Sequence, residues 1–409
     1  MMNFLYRIVN KLNYDTILSE YPIAEKIFIY ILLVSYILSE IQYVFRLEIS
    51  VSQKSIILTG GGTAGHVSLN QAVIPSLIEE GYNVHYIGSH DGIEKELITE
   101  SFPNVPYHSI SSGKLRRYFS LKNFTDPFKV LAGVGQAFTI LRKVKPTIVF
   151  SKGGFVSVPV VIAAKLAGVP VVIHESDVTP GLANKIALPF ASHVFTIFQD
   201  TLKYLPSDRS TCTGSIVREQ LFDGDKTQGL SLCQFESNKK VLLVMGGSLG
   251  SVVLNDALRS NLPELLETYN IIHLCGKGNV DSSLEGLQGY KQFDYVTTEL
   301  PHLLHACDFV VSRAGSNSIF EFLALKKPML LIPLSATKSR GDQILNANIF
   351  EKQGFAVTLE EELLTKSTFM KAINSLEKKQ PEIINAMEQA ESPKTPAEMV
   401  KLITLYEKG

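Results

Sequence analysis

The sequence has little cysteine. Four cysteines are spread over 409 residues, and no two of them form a C-x-x-C pair. Zinc sites and disulfide frameworks need closely spaced thiols, so neither is indicated and a reducing, cytoplasmic setting fits. The four residues are Cys212, Cys233, Cys275 and Cys307.

A large net charge is also absent. The chain has 39 Lys and Arg residues against 40 Asp and Glu residues, which gives a formal net charge of -1. Such a chain has no general electrostatic attraction to nucleic acid or to an anionic membrane. Nucleic acid is therefore not expected as a partner, and attraction to an anionic surface must come from a local patch.

The apolar run near the N-terminus is too short for an ordinary transmembrane helix. It reads IFIYILLVSYIL from Ile27 to Leu38, whereas a span needs about 20 apolar residues. Residues 1–50 also have no A-x-A-like cleavage site of the kind that ends a signal peptide. We expect an atypical apolar extension at 1–50, and three interpretations stay open: a helix on or in a membrane surface, a packed extra helix, or a stretch absent from the working protein.

The rest of the chain has the pattern of a two-domain α/β protein. Its 409 residues exceed the roughly 250 to 300 at which one hydrophobic core stops growing. From Ser55 onward short β-branched runs alternate with longer amphipathic stretches, and this pattern restarts after a polar stretch at 209–238, as in parallel sheets with crossover helices. We predict two doubly wound, Rossmann-like domains facing a cleft, at 51–214 and 215–392, with a C-terminal helix within 393–409 that returns to the first domain.

A glycine turn opens the first domain. The stretch TGGGTAGHV, from Thr59 to Val67, follows an apolar strand and contains the G-x-G-x-x-G spacing of a dinucleotide site. A Walker loop is excluded because His66 stands where lysine is required. The nicotinamide reading is weakened because the next strand, NVHYIGS, ends without the acidic residue that would hold a ribose, and Asp91 comes only in the following loop.

The same turn still predicts an anion site, since a helix N-terminus presents unpaired amides and a partial positive charge. In the first helical turn, His66 would have its imidazolium form disfavoured by that charge. A neutral imidazole at a cleft edge is a candidate proton acceptor. The alternative, a histidine that only hydrogen-bonds the loop, stays open.

The second domain repeats the arrangement. GGSLGS at 246–251 echoes the first turn, and Arg313 to Ser318 end another strand and begin a helix in which Glu321 lies one turn further on. A carboxylate there can bind the paired hydroxyls of a ribose, and Asp342 and Gln343 can hydrogen-bond a sugar, although all three could be capping residues. Arg218 could meet a diphosphate in bidentate fashion or lie on the surface.

Two further patterns concern metals and membranes. Asp223-Gly224-Asp225 matches a metal-binding D-x-D, but no strand precedes it, so we interpret it as a solvated loop and predict no metal site. In SSGKLRRYFS, basic and aromatic residues alternate as in segments that bind anionic headgroups, with a plain solvated loop as the alternative. The membrane-contacting residues predicted there are Lys114, Arg116, Arg117, Tyr118 and Phe119.

Five motifs, in order along the chain, together resemble the MurG family of glycosyltransferases. They are GGGTAGH at 60–66, SKGGFVSVP at 151–159, HESDVTPGLANK at 174–185, GGSLGS at 246–251 and RAGSNSIFE at 313–321. The family transfers N-acetylglucosamine to the lipid-linked muramyl-peptide intermediate of peptidoglycan synthesis. The resemblance begins near Lys54 and continues to the C-terminus.

The resemblance implies the GT-B glycosyltransferase fold and an inverting transfer with no metal and no cofactor. The lipid acceptor would bind the first domain and UDP-N-acetylglucosamine the second. It also implies a peripheral location on the cytoplasmic side of the cell membrane. The expected partners are UDP-N-acetylglucosamine, the undecaprenyl-linked muramyl-peptide acceptor, the anionic membrane surface and other cell-wall synthesis proteins.

Matching motif positions carry the family's site residues onto this chain. The donor set comprises Thr63, Gly65, Arg218, Gly246, Gly247, Ser248, Ser316, Asn317, Ser318, Glu321 and Gln343. The acceptor set comprises Gly61, Gly62, Gly153, Gly154 and Asn184. Many relatives carry a Gln-Gln pair where this chain has Asp342-Gln343, so the sugar contact is expected of Gln343 alone.

The implied chemistry is a direct displacement. The 4-hydroxyl of the acceptor's muramyl sugar attacks the anomeric carbon of the donor from the face opposite UDP, and a base takes the hydroxyl proton. His66 is the first candidate for that base, with Asp177 and Glu175 behind it. Two other function classes stay open: a nicotinamide-dependent oxidoreductase, and a non-catalytic module that binds a sugar nucleotide or recruits wall-synthesis proteins. Another lipid-directed UDP-sugar transferase is the alternative within the leading class.

Overall fold

Parallel strands alternate with helices along most of the chain. The computed structural model describes residues 54–113, 122–236, 238–247, 250–339 and 341–408, without the side chains of 122–127. All of these residues belong to one unit, Lys54–Gly409. The predicted extension at 1–50 and the predicted membrane-contacting residues 114–119 lie outside the described residues.

The first sheet has seven parallel strands among the described residues, in the order β3-β2-β1-β4-β5-β6-β7. Their bounds are β1 Ser55–Thr59, β2 Asn83–Ser89, β3 Tyr107–Ile110, β4 Ile148–Ser151, β5 Val171–Glu175, β6 His193–Thr196 and β7 Ser210–Cys212. Ile57 pairs with His85 on one side and with Val149 on the other. The sheet is apolar on both faces because helices cover both, as the crossover connections require.

Helices connect these strands and cover the sheet. Their bounds are α1 Gly65–Glu79, α2 Ile93–Ser101, α3 Lys122–Val144, α4 Ser157–Leu166 and α5 Leu182–Ala187. Val67, Ile74 and Leu77 of α1 pack into one core cluster with Leu58, whereas Ile57 points into a separate cluster with Val160 of α4. Alternate residues of β1 therefore enter the two faces of the sheet, as a strand's period of two dictates.

The second sheet repeats the topology. Six parallel strands of the described chain lie in the order β10-β9-β8-β11-β12-β13. The strands are β8 Lys240–Met245, β9 Tyr269–Leu274, β10 Tyr290–Phe293, β11 Phe309–Ser312, β12 Met329–Leu331 and β13 Ala356–Thr358. The helices around them are α6 Lys226–Cys233, α7 Val252–Thr268, α8 Leu300–Ala306, α9 Ser316–Ala324, α10 Asp342–Lys352, α11 Lys366–Lys378 and α12 Gln380–Glu388.

The last helix, α13 (Pro396–Thr404), returns to the first domain. It begins with a capping box in which the Thr395 hydroxyl accepts from the Glu398 amide and the Glu398 carboxylate accepts from the Thr395 amide. Met399, Val400 and Ile403 are fully buried in the first domain's core, against the cluster that contains Val67 of α1. The predicted return of the C-terminal helix is confirmed.

The fold prediction of two doubly wound domains is therefore confirmed, while the exact domain boundaries stay predictions. In each sheet the strand order reverses between its first and fourth strands, β1 and β4 in one and β8 and β11 in the other. Open α/β sheets bind ligands outside the carboxyl ends of the strands at such a reversal. Both glycine turns follow the first strand of their sheet, so both lie at these positions.

Candidate active site

A cavity of about 1110 Å³ lies at the carboxyl ends of β1, β2, β4 and β5. Its walls come from the first glycine turn, the SKGGF loop and the HESD loop, together with Ser89 to Glu94, residues 110–112 and Lys129. Eight of the predicted site residues line it: Gly61, Gly62, Thr63, His66, Gly154, Glu175, Asp177 and Asn184. Three motifs that are far apart in sequence thus form one site, as expected of loops at the same edge of a sheet.

The two glycine loops of the first domain touch each other. The amide of Gly61 donates to the carbonyl oxygen of Gly153 at 3.2 Å. Gly153 itself has a φ of +95°, and Asn184 lies directly against it, because a Cβ added there would lie 2.9 Å from Asn184 Oδ1. The predicted acceptor residues therefore form one continuous surface.

His66 is the second residue of α1, and its ring is held by the glycine turn. Nδ1 lies 3.0 Å from the Gly61 carbonyl oxygen and 3.1 Å from the Thr63 hydroxyl oxygen. A carbonyl oxygen only accepts hydrogen bonds, so a hydrogen bond to Gly61 requires the proton of a neutral ring to be on Nδ1. Nε2 is then the basic nitrogen, on a side chain that lines the cavity.

Glu175 ends β5 with its carboxylate fully engaged. Oε1 accepts from the amides of Ser176 and Asp177 at 2.9 and 3.0 Å. Oε2 accepts from the Gly181 amide and from Asn184 Nδ2, both at 2.9 Å. Four donors on one buried carboxylate fix the course of the loop that carries Asp177, which is the work of a positioning residue.

The environment of Asp177 opposes ionisation of its carboxyl group. Burial raises the pKa of its carboxyl group, and the negative charges of Glu175 and Asp342 raise it further. The Lys152 ammonium acts in the opposite direction. A carboxyl group with a raised pKa in a cleft is a candidate proton acceptor, so Asp177 stays behind His66 in that role.

Lys152, which sequence reasoning did not select, lies beneath this loop. Its side chain is buried, and Nζ is 2.5 Å from the Ser176 hydroxyl and 3.1 Å from Nδ1 of His174. Burial lowers the pKa of the ammonium to about 8, although Glu175 and Asp177 oppose the change. The one sequence signal was a lysine directly after an apolar strand, in SKGGF.

Glu94 was also missed. It is in the first turn of α2, its side chain is buried, and its carboxylate accepts from the amides of Gly62 and Ser89, each at 3.0 Å, and from the Ser89 hydroxyl. An internal carboxylate thus occupies one amide of the first glycine turn. The acidic residue sought after β2 exists three positions beyond Asp91, but it faces the turn rather than a ribose.

On the second domain, most of the predicted donor residues lie near the N-termini of helices. Gly246 and Gly247 follow β8, while Ser248 lies outside the described residues. Ser316, Asn317 and Ser318 begin α9. Glu321, one turn further on, pairs with Arg218 through Nη2 and Oε1 at 3.1 Å. Burial raises the pKa of Glu321, and the Arg218 charge opposes that rise.

Among the described residues, side-chain hydrogen bonds connect the second domain to the first at the cleft. Asn317 Nδ2 donates to the Ser68 hydroxyl oxygen at 2.7 Å, and the Thr179 hydroxyl donates to Asp342 Oδ1 at 3.1 Å. A Cβ added to Gly65 would lie 3.9 Å from Asn317 Nδ2. These contacts bring the predicted acceptor and donor surfaces to one cleft.

Gln343 is oriented by the backbone beside it. Its Oε1 accepts from the Leu334 amide at 2.9 Å. Because Oε1 is used in that bond, the amide NH₂ at Nε2 is the group with which Gln343 would donate to a sugar hydroxyl.

The D-x-D segment has a local structural role. Asp225 caps α6, and its Oδ1 accepts from the Gln228 amide at 2.6 Å. Over the described ranges, no group of three or more His, Cys, Asp and Glu side chains is placed to hold a metal ion. The capping contact gives Asp225 a structural role that does not involve a metal.

Apolar side chains are exposed on α3, shortly after the predicted membrane patch. Phe128 is 74% exposed and Leu131 is 70% exposed. Residues three apart share one face of a helix. In the part of the chain that the structure describes, no helix has the length and apolar character to cross a bilayer.

Comparisons with known proteins agree on one family. Residues 56–196 match the glycosyltransferase family 28 N-terminal domain, and residues 241–402 match its C-terminal domain. The chain is 58% identical over 332 residues to a protein from Clostridium botulinum, covering 81% of this chain and 92% of that one. It is 59% identical over 338 residues to a protein from Geobacillus kaustophilus, covering 83% and 94%.

Both of these relatives have the same name: UDP-N-acetylglucosamine--N-acetylmuramyl-(pentapeptide) pyrophosphoryl-undecaprenol N-acetylglucosamine transferase. Among solved structures, Acinetobacter baumannii MurG superposes with a TM-score of 0.69 at 24% identity, over 86% of this chain and 99% of that chain. A UDP-GlcNAc 2-epimerase from Neisseria meningitidis superposes with a TM-score of 0.60 at 15% identity, over 86% and 99%. These two likenesses concern the fold alone.

Proposed function

Because the chain belongs to the MurG family, within glycosyltransferase family 28, we propose that its interdomain cleft is where it transfers N-acetylglucosamine. The donor is UDP-N-acetylglucosamine, and the acceptor is the muramyl sugar of undecaprenyl-diphospho-N-acetylmuramoyl-peptide. The product is the disaccharide-linked lipid used in peptidoglycan synthesis. Because the chain belongs to this family, we set aside a nicotinamide-dependent oxidoreductase and a non-catalytic module as explanations of the glycine turns.

The observation that carries the site assignment is the meeting of the two surfaces at one cleft. His66 and Asp177 line the cavity of the first domain. Asp342, the neighbour of Gln343, accepts a hydrogen bond from Thr179 of the same loop as Asp177. An acceptor in the cavity and a donor on α9 and α10 would therefore have their reacting sugars between these residues, as a direct transfer requires.

We assign the role of base to His66. Its Nδ1–H is committed to the Gly61 carbonyl oxygen, so Nε2 would take the proton of the acceptor's 4-hydroxyl as that oxygen bonds to the anomeric carbon. The bond from the anomeric carbon to the diphosphate oxygen breaks in the same displacement, and UDP leaves with the electron pair. Attack opposite the leaving group converts an α donor into a β linkage.

Glu175 and Asp177 have two different proposed roles in the first domain. The four donors on Glu175 make it the residue that shapes the loop, together with Asn184. Asp177 is the second candidate for the base. Gly61, Gly62, Gly153 and Gly154 would form the surface beside the acceptor's diphosphate end. The amides of Gly61 and Gly62 already donate to Gly153 and Glu94, so these two amides would not bind the diphosphate.

The leaving diphosphate needs positive partners that are already in place. Arg218 would supply a bidentate guanidinium, and the amides of Gly246, Gly247 and Ser248, which lie in sequence between β8 and α7, would supply further donors. Glu321 would hold the ribose hydroxyls of uridine, with Ser316, Asn317 and Ser318 along the donor. Thr63 and Gly65 would face the donor from the first domain, and Gln343 would contact the transferred sugar.

The acceptor is a membrane lipid, so the enzyme must work at a membrane surface. We place it peripherally on the cytoplasmic side of the cell membrane. The exposed side chains of Phe128 and Leu131 on α3 support contact with a membrane, because they follow the predicted basic and aromatic patch at 114–119 closely in the sequence. Other cell-wall synthesis proteins are further proposed partners, and neither a metal nor a cofactor is part of the proposed mechanism.

The decisive experiment measures UDP release. Purified protein with UDP-N-acetylglucosamine and the lipid-linked acceptor should release UDP and form the disaccharide lipid. His66→Ala should lower kcat on the order of 100-fold or more, as expected for loss of a general base. Release of UDP that does not depend on the acceptor would contradict the proposed transfer, and wild-type kcat in His66→Ala would transfer the role of base to Asp177.

A further inference from the structure

One peptide group connects the buried carboxylate of Glu94 to the ring of His66. The peptide between Gly61 and Gly62 donates through the Gly62 N–H to Glu94 Oε2 at 3.0 Å. The carbonyl oxygen of the same peptide accepts from His66 Nδ1 at 3.0 Å. Glu94, the peptide and the imidazole thus form a continuous hydrogen-bonded chain.

We propose that Glu94 is a positioning residue that acts on His66 through the Gly61–Gly62 peptide, fixing its Nδ1–H tautomer and increasing the basicity of Nε2. The carboxylate polarises the peptide, and the polarised carbonyl oxygen accepts more strongly from Nδ1–H. The arrangement performs the work of the carboxylate in a Ser-His-Asp triad, with a peptide group inserted between acid and histidine. It rests on the proposed function in one respect, namely that His66 is the base.

The surroundings of Glu94 are shaped for this contact. A Cβ added to Gly61 or to Gly92 would collide with its carboxylate. Ser89 holds the other oxygen through its amide and its hydroxyl. The side chain is therefore fixed from three sides, and its remaining direction is toward the glycine turn.

The carboxylate is ionised at neutral pH. Burial raises the pKa of Glu94, but the hydrogen bonds from the Ser89 hydroxyl and from the amides of Gly62 and Ser89 outweigh that effect, and the net pKa is lowered. The ionisable side chains that line the same cavity are His90, Asp91, Lys129, Glu175 and Asp177. Tyr107 packs beside Glu94 and donates its hydroxyl to the Ser89 carbonyl oxygen at 2.8 Å.

The hydrogen bond from Gly62 also identifies an anion that the first glycine turn holds: it is the carboxylate of Glu94. The Gly62 amide is already occupied by Glu94, so the acceptor's diphosphate would not bind that amide. The proton balance of the transfer is unchanged: the acceptor's proton goes to Nε2 of His66, Nδ1 keeps its own proton, and Glu94 takes none.

A double-mutant cycle separates this role from a purely structural one. Glu94→Gln keeps the shape of the side chain and an oxygen for the Gly62 amide while removing the charge. In an otherwise wild-type enzyme it should lower kcat on the order of 10- to 100-fold, less than the loss of a carboxylate bonded directly to a catalytic histidine, with KM for UDP-N-acetylglucosamine unchanged. In a His66→Ala background the same substitution should cost nothing further.

The pH profile and a matched control complete the kinetic test. Without the carboxylate the imidazolium is less stabilised, so the acidic limb of kcat/KM should move to lower pH in Glu94→Gln. Glu96→Gln, an exposed residue of the same helical turn, should leave kcat and the limb unchanged. If Glu94→Gln lowers kcat equally in both backgrounds, the relay is overturned while His66 keeps its role. If His66→Ala alone has wild-type kcat, the assignment of the base has failed instead.

Nitrogen NMR of the unmodified protein gives a readout that depends on neither folding of a variant nor activity. In histidine-labelled enzyme at a pH where the ring is neutral, His66 should show the Nδ1–H tautomer, with its signals assigned from a His66→Gln sample. An Nε2–H tautomer would overturn the proposal. Should Glu94→Gln fail to fold, as judged by thermal melting, this measurement decides alone.

Discussion

The hydroxyl of Thr179 donates to Asp342 Oδ1 at 3.1 Å across the cleft between the two domains. Thr179 lies two residues after Asp177, and Asp342 is the neighbour of Gln343. Burial, Glu175 and then Asp342 raise the pKa of the Asp177 carboxyl. The contact therefore joins a loop of the proposed acceptor site to the helix that would hold the transferred sugar.

Removing the hydrogen bond between Thr179 and Asp342 should weaken binding of the donor more than it slows the chemical step. Thr179→Val keeps the shape of the side chain and loses the hydroxyl, at a cost of about 1 kcal/mol for one hydrogen bond. Because that bond supports the donor side of the cleft, we expect KM for UDP-N-acetylglucosamine to rise about fivefold while kcat changes little. Steady-state kinetics measure both, and Thr179→Ser is the control. An unchanged KM in Thr179→Val would assign the contact no part in donor binding.

Lys152 should make stability depend on pH above neutrality. Its pKa is lowered by burial to about 8 from the ordinary 10.5. Between these values the unfolded chain binds more protons than the folded one, so the free energy of unfolding rises with pH by at most about 1.4 kcal/mol per unit. From pH 8 to pH 10, wild type should gain about 1 to 2 kcal/mol relative to Lys152→Met.

Denaturant unfolding at several pH values measures this difference. Lys165→Met, an exposed lysine of α4, is the control and should follow wild type. Parallel curves for wild type and Lys152→Met would show that Lys152 titrates normally.

The exposed face of α3 should contribute to membrane binding. Leu131 is 70% exposed, and burying such a side chain in a bilayer is worth about 1.5 to 3 kcal/mol. Leu131→Glu should therefore weaken binding to vesicles with anionic lipid about tenfold or more in a sedimentation assay. Leu363→Glu, at a 57% exposed leucine of the second domain, is the matched control. Equal losses in both variants would mean that α3 is not the docking surface.

Much of the fold could be predicted because its signals are local. Apolar β-branched runs such as Val171–Glu175 predict buried strands, and the glycine turns after β1 and β8 mark where each sheet meets a helix. The order of alternation then permits few topologies. Local pattern was also enough to place His66 at the start of a helix beside a cleft.

The contacts that position the site could not be predicted in the same way. Asn317 and Ser68 are 249 residues apart in sequence, and Glu94 lies 32 residues from the amide it accepts from. Nothing in the period of a strand or helix encodes such partners. Lys152 could not be selected from the sequence, because its burial depends on how three loops pack together.

Chelation should leave turnover unchanged. The proposed stabilisation of the leaving diphosphate relies on Arg218 and on helix N-termini, which need no divalent ion. UDP release in excess chelator should therefore equal that in its absence, after exhaustive dialysis in both arms. Loss of activity that returns on adding Mg²⁺ would restore Asp223 and Asp225 to consideration, and Asp223→Asn would then be the variant to measure.

Glu321 should select for the ribose of the donor. Hydrogen bonds to a charged group contribute about 1.5 to 3 kcal/mol, so Glu321→Gln should raise KM for UDP-N-acetylglucosamine about 10- to 100-fold. That substitution also removes the partner of Arg218, 3.1 Å away, so the variant alone does not isolate the ribose contact. A donor that lacks the 2′-hydroxyl isolates that contact. Its KM should be high with the wild-type enzyme and should rise little further with Glu321→Gln. Additive losses of affinity from the variant and the altered donor would mean that Glu321 acts only by holding Arg218. The control is Glu382→Gln, at an exposed glutamate of α12, which should bind both donors as wild type does.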